Sequence, residues 1–258
     1  MKFIASVSFG RDSLAMLLKI LELGYPLDGV LYVELGPEFD CVKKLAVRMQ
    51  KILEEKKIEF HILRPEIPFE ELMLRVPIKY KDAEKGYHQG YGWCGGPCRW
   101  GTAIKRDLLH KAYKKYYGNE PVAEYIGIAN DETHRINRER DGNRVKLYPL
   151  IEWGMSPLDC YDYCLKRGWA WLEEGKDGKV YDLYQCLDRV SCKYCVNKNL
   201  KELKQIYLKF PSIWQELKDL QEQIPMPYKK GVSVNQLEDR FKEETRQMSL
   251  YDFFAEVN

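Results

Sequence analysis

Neither sign of charge predominates in the 258 residues: 41 Lys and Arg stand against 39 Asp and Glu, for a net charge of +2. That balance excludes a uniformly basic coat for nucleic acid and leaves only local basic faces. Eight cysteines in a chain this long fall far short of a disulfide scaffold. Long hydrophobic runs are missing too. The longest uncharged stretch, Gly86 to Cys98, has thirteen residues rich in glycine and aromatics, too few to span a bilayer. The opening apolar run is too short for a signal-peptide core and meets a charge at Arg11, so the sequence predicts a cytoplasmic, reducing setting with no membrane partner. There, cysteines are expected as thiols or metal ligands rather than cystines.

What is present is an alternation of strand and helix patterns. Lys2 to Ser8 mixes small and apolar residues and stops at Phe9-Gly10, after which Leu14, Leu17, Leu18 and Leu21 recur at helical spacing up to Gly24. Asp28 to Val33 reads as a second strand, Phe39 to Glu55 as a second helix with a Val42, Leu45, Ala46, Met49 stripe, and Ile58 to Leu63 as a third strand. Val122 to Ile128 and Arg144 to Leu147 supply the fourth and fifth. Near-continuous apolar strands alternating with helices predict an α/β fold, a doubly wound, mainly parallel five-stranded sheet. Between strands three and four, six of the eighteen glycines fall in the sixteen residues from Gly86 to Gly101, which predicts a loop. Thr102 to Tyr117 returns to helical periodicity, and Ser156-Pro157 reads as a helix start. The expected divisions are a nucleotide-binding α/β domain over 1–155, a helical cysteine-bearing region over 156–224, and a tail over 225–258 set off by Pro225-Met226-Pro227.

Ser8-Phe9-Gly10-Arg11-Asp12-Ser13 lies where the first strand becomes the first helix. Backbone N–H groups at a helix start carry partial positive charge and lack intrahelical partners, so a glycine-containing loop there can hold phosphate oxygens. Gly10 lets the backbone approach, Ser8 and Ser13 offer hydroxyls, and Arg11 neutralises charge. An ordinary polar helix cap accounts for the same residues. This loop carries neither the Gly-x4-Gly-Lys of a Walker A motif nor the Gly-x-Gly-x2-Gly of a dinucleotide fingerprint.

The loop resembles the Ser-Gly-Gly-Lys-Asp-Ser pyrophosphate loop of the adenine-nucleotide α-hydrolase-like superfamily, in the Ser-Phe-Gly form of phosphoadenosine phosphosulfate reductases. Four further segments follow in the family order. Glu34-Leu35-Gly36-Pro37-Glu38-Phe39 resembles its Asp-Thr-Gly-x-Glu-Phe element, and Arg99 to Lys105 its Arg-Trp-Cys-Thr-x-x-Lys-like segment. Gly127 to Arg135 resembles Gly-Ile-Arg-x-Asp-Glu-Ser-x-x-Arg, with Asn130 displacing an expected arginine. Tyr148 to Trp153 with Pro157-Leu158-Asp159 resembles the Pro-Leu-x-x-Trp segment. The resemblance implies an adenine nucleotide such as ATP, with Mg2+, lying across the carboxyl ends of the strands. It assigns Ser6, Ser8, Phe9, Gly10, Arg11, Asp12, Ser13 and Gly36 to nucleotide binding, with Gly127, Asp131, Glu132 and Arg135 as the far wall. Arg11, which stands where the family has lysine, and Asp12 are the expected catalytic groups. His134 falls inside the wall segment as a further contact, whereas His61, His88 and His110 read as structural.

The remaining cysteines fall into Cys94-x3-Cys98 and Cys186-x5-Cys192-x2-Cys195. Four thiolates suit Zn2+ or an iron–sulfur cluster. The expected ligands are Cys98, Cys186, Cys192 and Cys195, with Cys94 as the substitute; unmetallated structural thiols and a redox pair are the competing readings. Among relatives, some sulfur-transferring members hold a [4Fe-4S] cluster and others zinc or nothing. Cys41, Cys160 and Cys164 read as packing residues. Tyr113 to Tyr117, with two lysines between the tyrosines, could stack on nucleic acid but reads better as a partly packed helix end. Gln247 to Phe254 resembles the Gln-x-x-Leu-x-x-Phe-Phe peptide that docks on DNA sliding clamps; packing of its own Leu and Phe onto the domain is the alternative.

These features imply an enzyme that splits ATP to AMP and pyrophosphate, adenylating an unidentified acceptor for sulfur transfer, with a link to DNA through the tail. Reduction of phosphoadenosine phosphosulfate or adenosine phosphosulfate is the alternative, but such reductases use a C-terminal cysteine and none follows Cys195. A nucleotide-binding adaptor tethered to a clamp is the non-enzymatic alternative.

Overall fold

The computed structural model of the chain describes residues 1–94, 98–136 and 143–256, with side chains described for all of these except residue 83 and residues 248–256. Its backbone contacts cluster into two units, one made of Met1–Glu66 with Gly101–Leu172 and the other of Ile67–Trp100 with Glu173–Asn258. The units interleave along the chain, unlike the contiguous blocks expected over 1–155, 156–224 and 225–258. The segment after the third strand leaves the sheet and clusters with the C-terminal helices, so residue order alone misplaces it.

The first unit holds a parallel sheet of β1 (Lys2–Val7), β2 (Gly29–Val33), β3 (Glu59–Leu63), β6 (Val122–Ile126) and β7 (Arg144–Leu147) in the order β3-β2-β1-β6-β7. Every pairing is parallel. β2 is buried along its whole length, as an interior parallel strand requires, while the edge strand β7 is only half-buried throughout. The chain winds outward from β1 through β2 to β3, then returns to β6 and β7. Right-handed crossovers in the two directions place α1 (Arg11–Leu23) and α2 (Asp40–Glu55) on one face and α4 (Thr102–Tyr117) on the other. Ala112, Tyr113 and Tyr117 of α4 pack on Ile4, Leu31, Val33, Leu63 and Val122. Winding reverses between β1 and β6, the position at which open α/β sheets carry their ligands, beyond the strand carboxyl ends.

Helix limits follow local chemistry. α1 stops at Gly24, whose φ of 67° lets its N–H return to the Ile20 carbonyl. After the short α5 (Pro149–Glu152), α6 (Pro157–Leu165) opens with Pro157 in its first turn and a reciprocal cap between Ser156 and Asp159. α6 packs along α1.

The second unit contains α3 (Phe69–Leu74), a β4–β5 hairpin (Pro77–Lys79 and Tyr87–Gln89), a small β8–β9 sheet (Leu172–Glu174, which spans the boundary, and Val180–Asp182) and α7 (Leu183–Cys186). Three longer helices complete it: α8 (Leu200–Lys209), α9 (Pro211–Gln223) and α10 (Val234–Glu256). The hairpin corrects the expectation of a plain loop after Gly86: Tyr87, His88 and Gln89 pair with Lys79, Ile78 and Pro77. Gly90 then crosses the Met73 backbone so closely that a Cβ would lie 2.1 Å from the Met73 carbonyl oxygen. Glu202, nearly buried, takes N–H groups of Asp188 and Asn199 at 3.0 and 2.8 Å and so ties the cysteine-bearing loop to the start of α8.

Candidate functional site

The loop between β1 and α1 has Gly10 as its N-cap, in extended backbone, so the N-cap residue itself supplies no side-chain cap. The serine hydroxyls shape the loop instead. Ser13 Oγ accepts the Ser8 N–H at 3.1 Å, lies 3.2 Å from Ser8 Oγ, and donates to the Gly10 carbonyl at 3.2 Å. The first turn of α1 begins directly after this loop, where helix N–H groups carry partial positive charge.

Phe9 has φ of 56°, a conformation that costs an ordinary residue about 1 kcal/mol or more. Its ring is fully buried, edge-on to Tyr32 with centroids 4.9 Å apart. Phe9 was expected as a nucleotide-binding residue; its side chain belongs to the core, and only its backbone borders the loop. Ser6 also differs from expectation. It donates to Glu124 Oε1 at 2.8 Å and lies 3.1 Å from Tyr113 Oη, a network that Arg144 joins 4.0 Å from Glu124 and over the Tyr113 ring. Burial, then the Glu124 charge, pushes the Tyr113 phenol far above its ordinary range.

Gly127, just after β6, lies against the loop. A Cβ there would stand 2.7 Å from Ser13 Cα and 2.9 Å from Ser13 N. Beyond it, a 3-10 turn over Asn130–Arg135 carries Asp131, Glu132 and Arg135 into the electrostatic neighbourhood of Asp12. Arg135 pairs with Glu132, and Arg11 Nε lies 3.7 Å from Asp12 Oδ1. That oxygen is buried and has no hydrogen-bond partner among the described residues. Burial raises the Asp12 carboxyl to about 6; Arg11 opposes the shift, and Glu132 and Asp131 add to it. His134 is exposed on the same turn.

Gly36 sits in the loop after β2 with φ of 113°. Its N–H is taken at 2.8 Å by Glu38 Oε2, while Glu38 Oε1 takes the Leu35 N–H at 3.0 Å. Gly36 thus serves a carboxylate clamp that holds the β2 loop. Glu38 was legible only as part of a motif. The hydrogen bonds from Trp171 to the Phe9 carbonyl and from Cys164 to the Arg11 carbonyl, at 2.7 and 3.7 Å, carried no sequence signal. Cys160 and Cys164 are fully buried on α6, and burial with the Asp12 charge pushes Cys164 up to about 12. Tyr113 and Tyr117 are buried and Tyr116 stacks on His61 with centroids 4.0 Å apart, so the tyrosine cluster is a packed helix end.

In the second unit the cysteines form pairs. Cys94 hydrogen-bonds Cys98, and Cys192 hydrogen-bonds Cys195. Cys98 is also within electrostatic reach of Cys192. These contacts hold Cys94 and Cys195 below the usual thiol range, while their effect together with burial holds Cys192 above it. The two loops are linked by Tyr228, whose ring is edge-on to Trp93 at 4.8 Å and whose hydroxyl donates to the Cys195 carbonyl at 2.7 Å. Lys198 is buried beside the Cys192–Cys195 pair and donates to Ser191 Oγ at 2.7 Å. Cys186, expected among the ligands, instead accepts from Lys209 Nζ at 3.3 Å. Among the described residues no group of three or more His, Cys, Asp or Glu is arranged to hold a metal ion. The expected clamp-binding segment is helical in backbone as the end of α10; its side chains from residue 248 lie outside the described residues. No helix among the described residues is long and apolar enough to cross a membrane.

No protein-family model matches the chain. An uncharacterized protein of Methanocaldococcus jannaschii is similar at 25% identity over 221 residues, 83% of this chain and 40% of the relative, so the chain spans about two fifths of that protein's length. Among solved structures, the Candida glabrata FMN adenylyltransferase in complex with FMN and the ATP analog AMPCPP is similar over 58% of this chain and 43% of that one, at 11% identity and a TM-score of 0.33, too slight a likeness to carry an argument.

Proposed function

We propose that the chain is an adenylyl-transfer enzyme that binds ATP with its phosphates on Ser8 to Ser13, releases pyrophosphate, and leaves an adenylated acceptor. One observation carries the reading: at the β1/β6 reversal, Gly127 presses against the first turn of α1, whose N-cap is a glycine. Anionic oxygens seated there meet oriented N–H groups and Arg11, while Asp12, Asp131 and Glu132 supply the carboxylates that a phosphate-bound Mg2+ requires. The work of such a site is positioning and charge stabilisation at the α-phosphate. Transfer of sulfur to the adenylated acceptor and docking of Gln247 to Phe254 on a sliding clamp are the finer parts of the proposal.

The test is pyrophosphate release from ATP and Mg2+ with nucleic acids and small acids offered as acceptors and a sulfide source added. Release with at least one acceptor is expected. ATP binding without release for any acceptor would replace the enzyme with the adaptor reading, and sulfite release from phosphoadenosine phosphosulfate would favour the reductase.

The thiols form the second part of the proposal. Cys94, Cys98, Cys192 and Cys195 would hold Zn2+ or an iron–sulfur cluster, with Lys198 offsetting thiolate charge; Cys94 replaces Cys186 in the expected set because Cys186 is bonded to Lys209. Such a group would brace the two loops, and no step of adenylyl transfer runs through it. Protein purified anaerobically is expected to carry zinc or iron, with Cys195→Ser losing most of the metal and Cys186→Ser keeping it. Equal metal content in the two variants would sink this ligand set.

A further inference from the structure

We infer that Trp171 is a positioning residue for the phosphate loop: its indole N–H holds the Phe9 carbonyl inward and thereby turns the Gly10 N–H toward the bound phosphates. The inference rests on the nucleotide reading above and assigns a source for the loop's geometry that lies outside every motif in the chain.

Indole Nε1 donates to the Phe9 carbonyl oxygen at 2.7 Å, and both residues are fully buried. The peptide unit between Phe9 and Gly10 is planar and trans, so its carbonyl and its N–H point in opposite directions. Fixing one fixes the other. With the carbonyl aimed at the indole, the N–H is aimed away from it, at the start of α1, where Gly10 is the N-cap. The contact falls at a position of backbone cost, because Phe9 holds φ of 56° without being glycine. A residue in that region persists only when its surroundings over-determine it. Here they do so twice, through the Phe9 ring against Tyr32 and through the indole on its carbonyl.

A second peptide, between Arg11 and Asp12, is held from α6 as well. Cys164 Sγ, fully buried, donates to the Arg11 carbonyl at 3.7 Å. Trp171 is itself fixed by stacking on Tyr161, with centroids 6.1 Å apart. Two buried donors from the chain around α6 thus grip two carbonyls of the loop. Loop N–H groups preorganised in this way act on phosphate oxygens without reorganising when ligand arrives. They do nothing for the nucleoside part of the ligand, and that difference separates positioning from general stability.

The decisive variant replaces Trp171 by its benzothiophene analogue, which exchanges the N–H for sulfur and keeps the bicyclic ring; Trp171→Phe is the genetic counterpart. Binding of ATP, pyrophosphate and adenosine is measured by calorimetry, with thermal midpoints recorded on the same samples. Wild type is expected to bind all three. The analogue is expected to lose about tenfold in affinity for ATP and for pyrophosphate, the scale of one hydrogen bond to a charged ligand system, with adenosine unchanged within about twofold. If adenosine weakens in step with ATP, the indole is merely structural and the inference is overturned; unchanged ATP and pyrophosphate affinities overturn it equally. If wild type binds adenosine but neither ATP nor pyrophosphate, the phosphate-loop reading itself fails, an outcome distinct from the other two.

Discussion

Replacing Gly127 by alanine is expected to lower the thermal midpoint of the protein and to weaken ATP binding more than tenfold. The sign is not the ordinary one. Gly127 does not occupy the left-handed region, and at such a position Gly→Ala usually stabilises by about 0.4–1 kcal/mol through the unfolded chain. Here the new methyl would stand 2.7 Å from Ser13 Cα and 2.9 Å from Ser13 N. Those atoms are backbone in the first turn of α1, so no rotamer change relieves the clash. Overpacking of this kind costs about 1–3 kcal/mol, which outweighs the entropic gain. The displacement falls on the residue that organises the loop, since Ser13 Oγ joins Ser8 and Gly10. Calorimetric melting and ATP titration of G127A check both parts. A raised midpoint with unchanged ATP affinity would remove Gly127 from the site.

The sheet was legible because burial on both faces leaves parallel strands almost uniformly apolar. Val30, Leu31, Tyr32 and Val33 could be read as an interior strand without knowing their neighbours, and Gly24 after α1 punctuated the pattern. The turn from β1 into α1 was legible through spacing, but its chemistry was not: the resemblance names Phe9 and Ser6 alongside Ser8 and Gly10 without saying that the first is core and the second bonds Glu124. Partners far apart in the chain have no periodicity to announce them. Trp171 reaches Phe9 across 162 positions, and only the fold brings them together. The same limit explains the cysteines. Spacing favoured the Cys186 to Cys195 run as one group, whereas α7 carries Cys186 to Lys209. Glycine density likewise mistook the β4–β5 hairpin for a loop, because a three-residue strand offers too short a run for alternation to register.

Asp12→Asn is expected to stabilise the protein at neutral pH while reducing pyrophosphate release about a hundredfold, the loss usual for removing one group that acts on transition-state charge. The Asp12 carboxyl is raised from 3.8 to about 6, first by burial and then by Glu132 and Asp131 against the pull of Arg11. A raised carboxyl means that the folded state holds its proton more tightly than the unfolded one. Stability therefore falls as pH rises from about 4 to about 6, and the full penalty stands above that window. Asparagine cannot ionise, so the variant escapes it. Two pKa units would correspond to about 3 kcal/mol, and with the carboxyl partly open to solvent about 1–2 kcal/mol is the better expectation. The difference in thermal midpoint between variant and wild type should be several degrees at pH 7.5 and vanish near pH 4. Bound Mg2+ and ATP should reverse the order, because a cation beside Asp12 relieves the wild type alone: it neutralises the charge that Oδ1 carries without a hydrogen-bond partner. A variant that is less stable than wild type at pH 7.5, or that gains as much from Mg2+ and ATP as wild type does, would show that Asp12 does not hold its charge for the ligand.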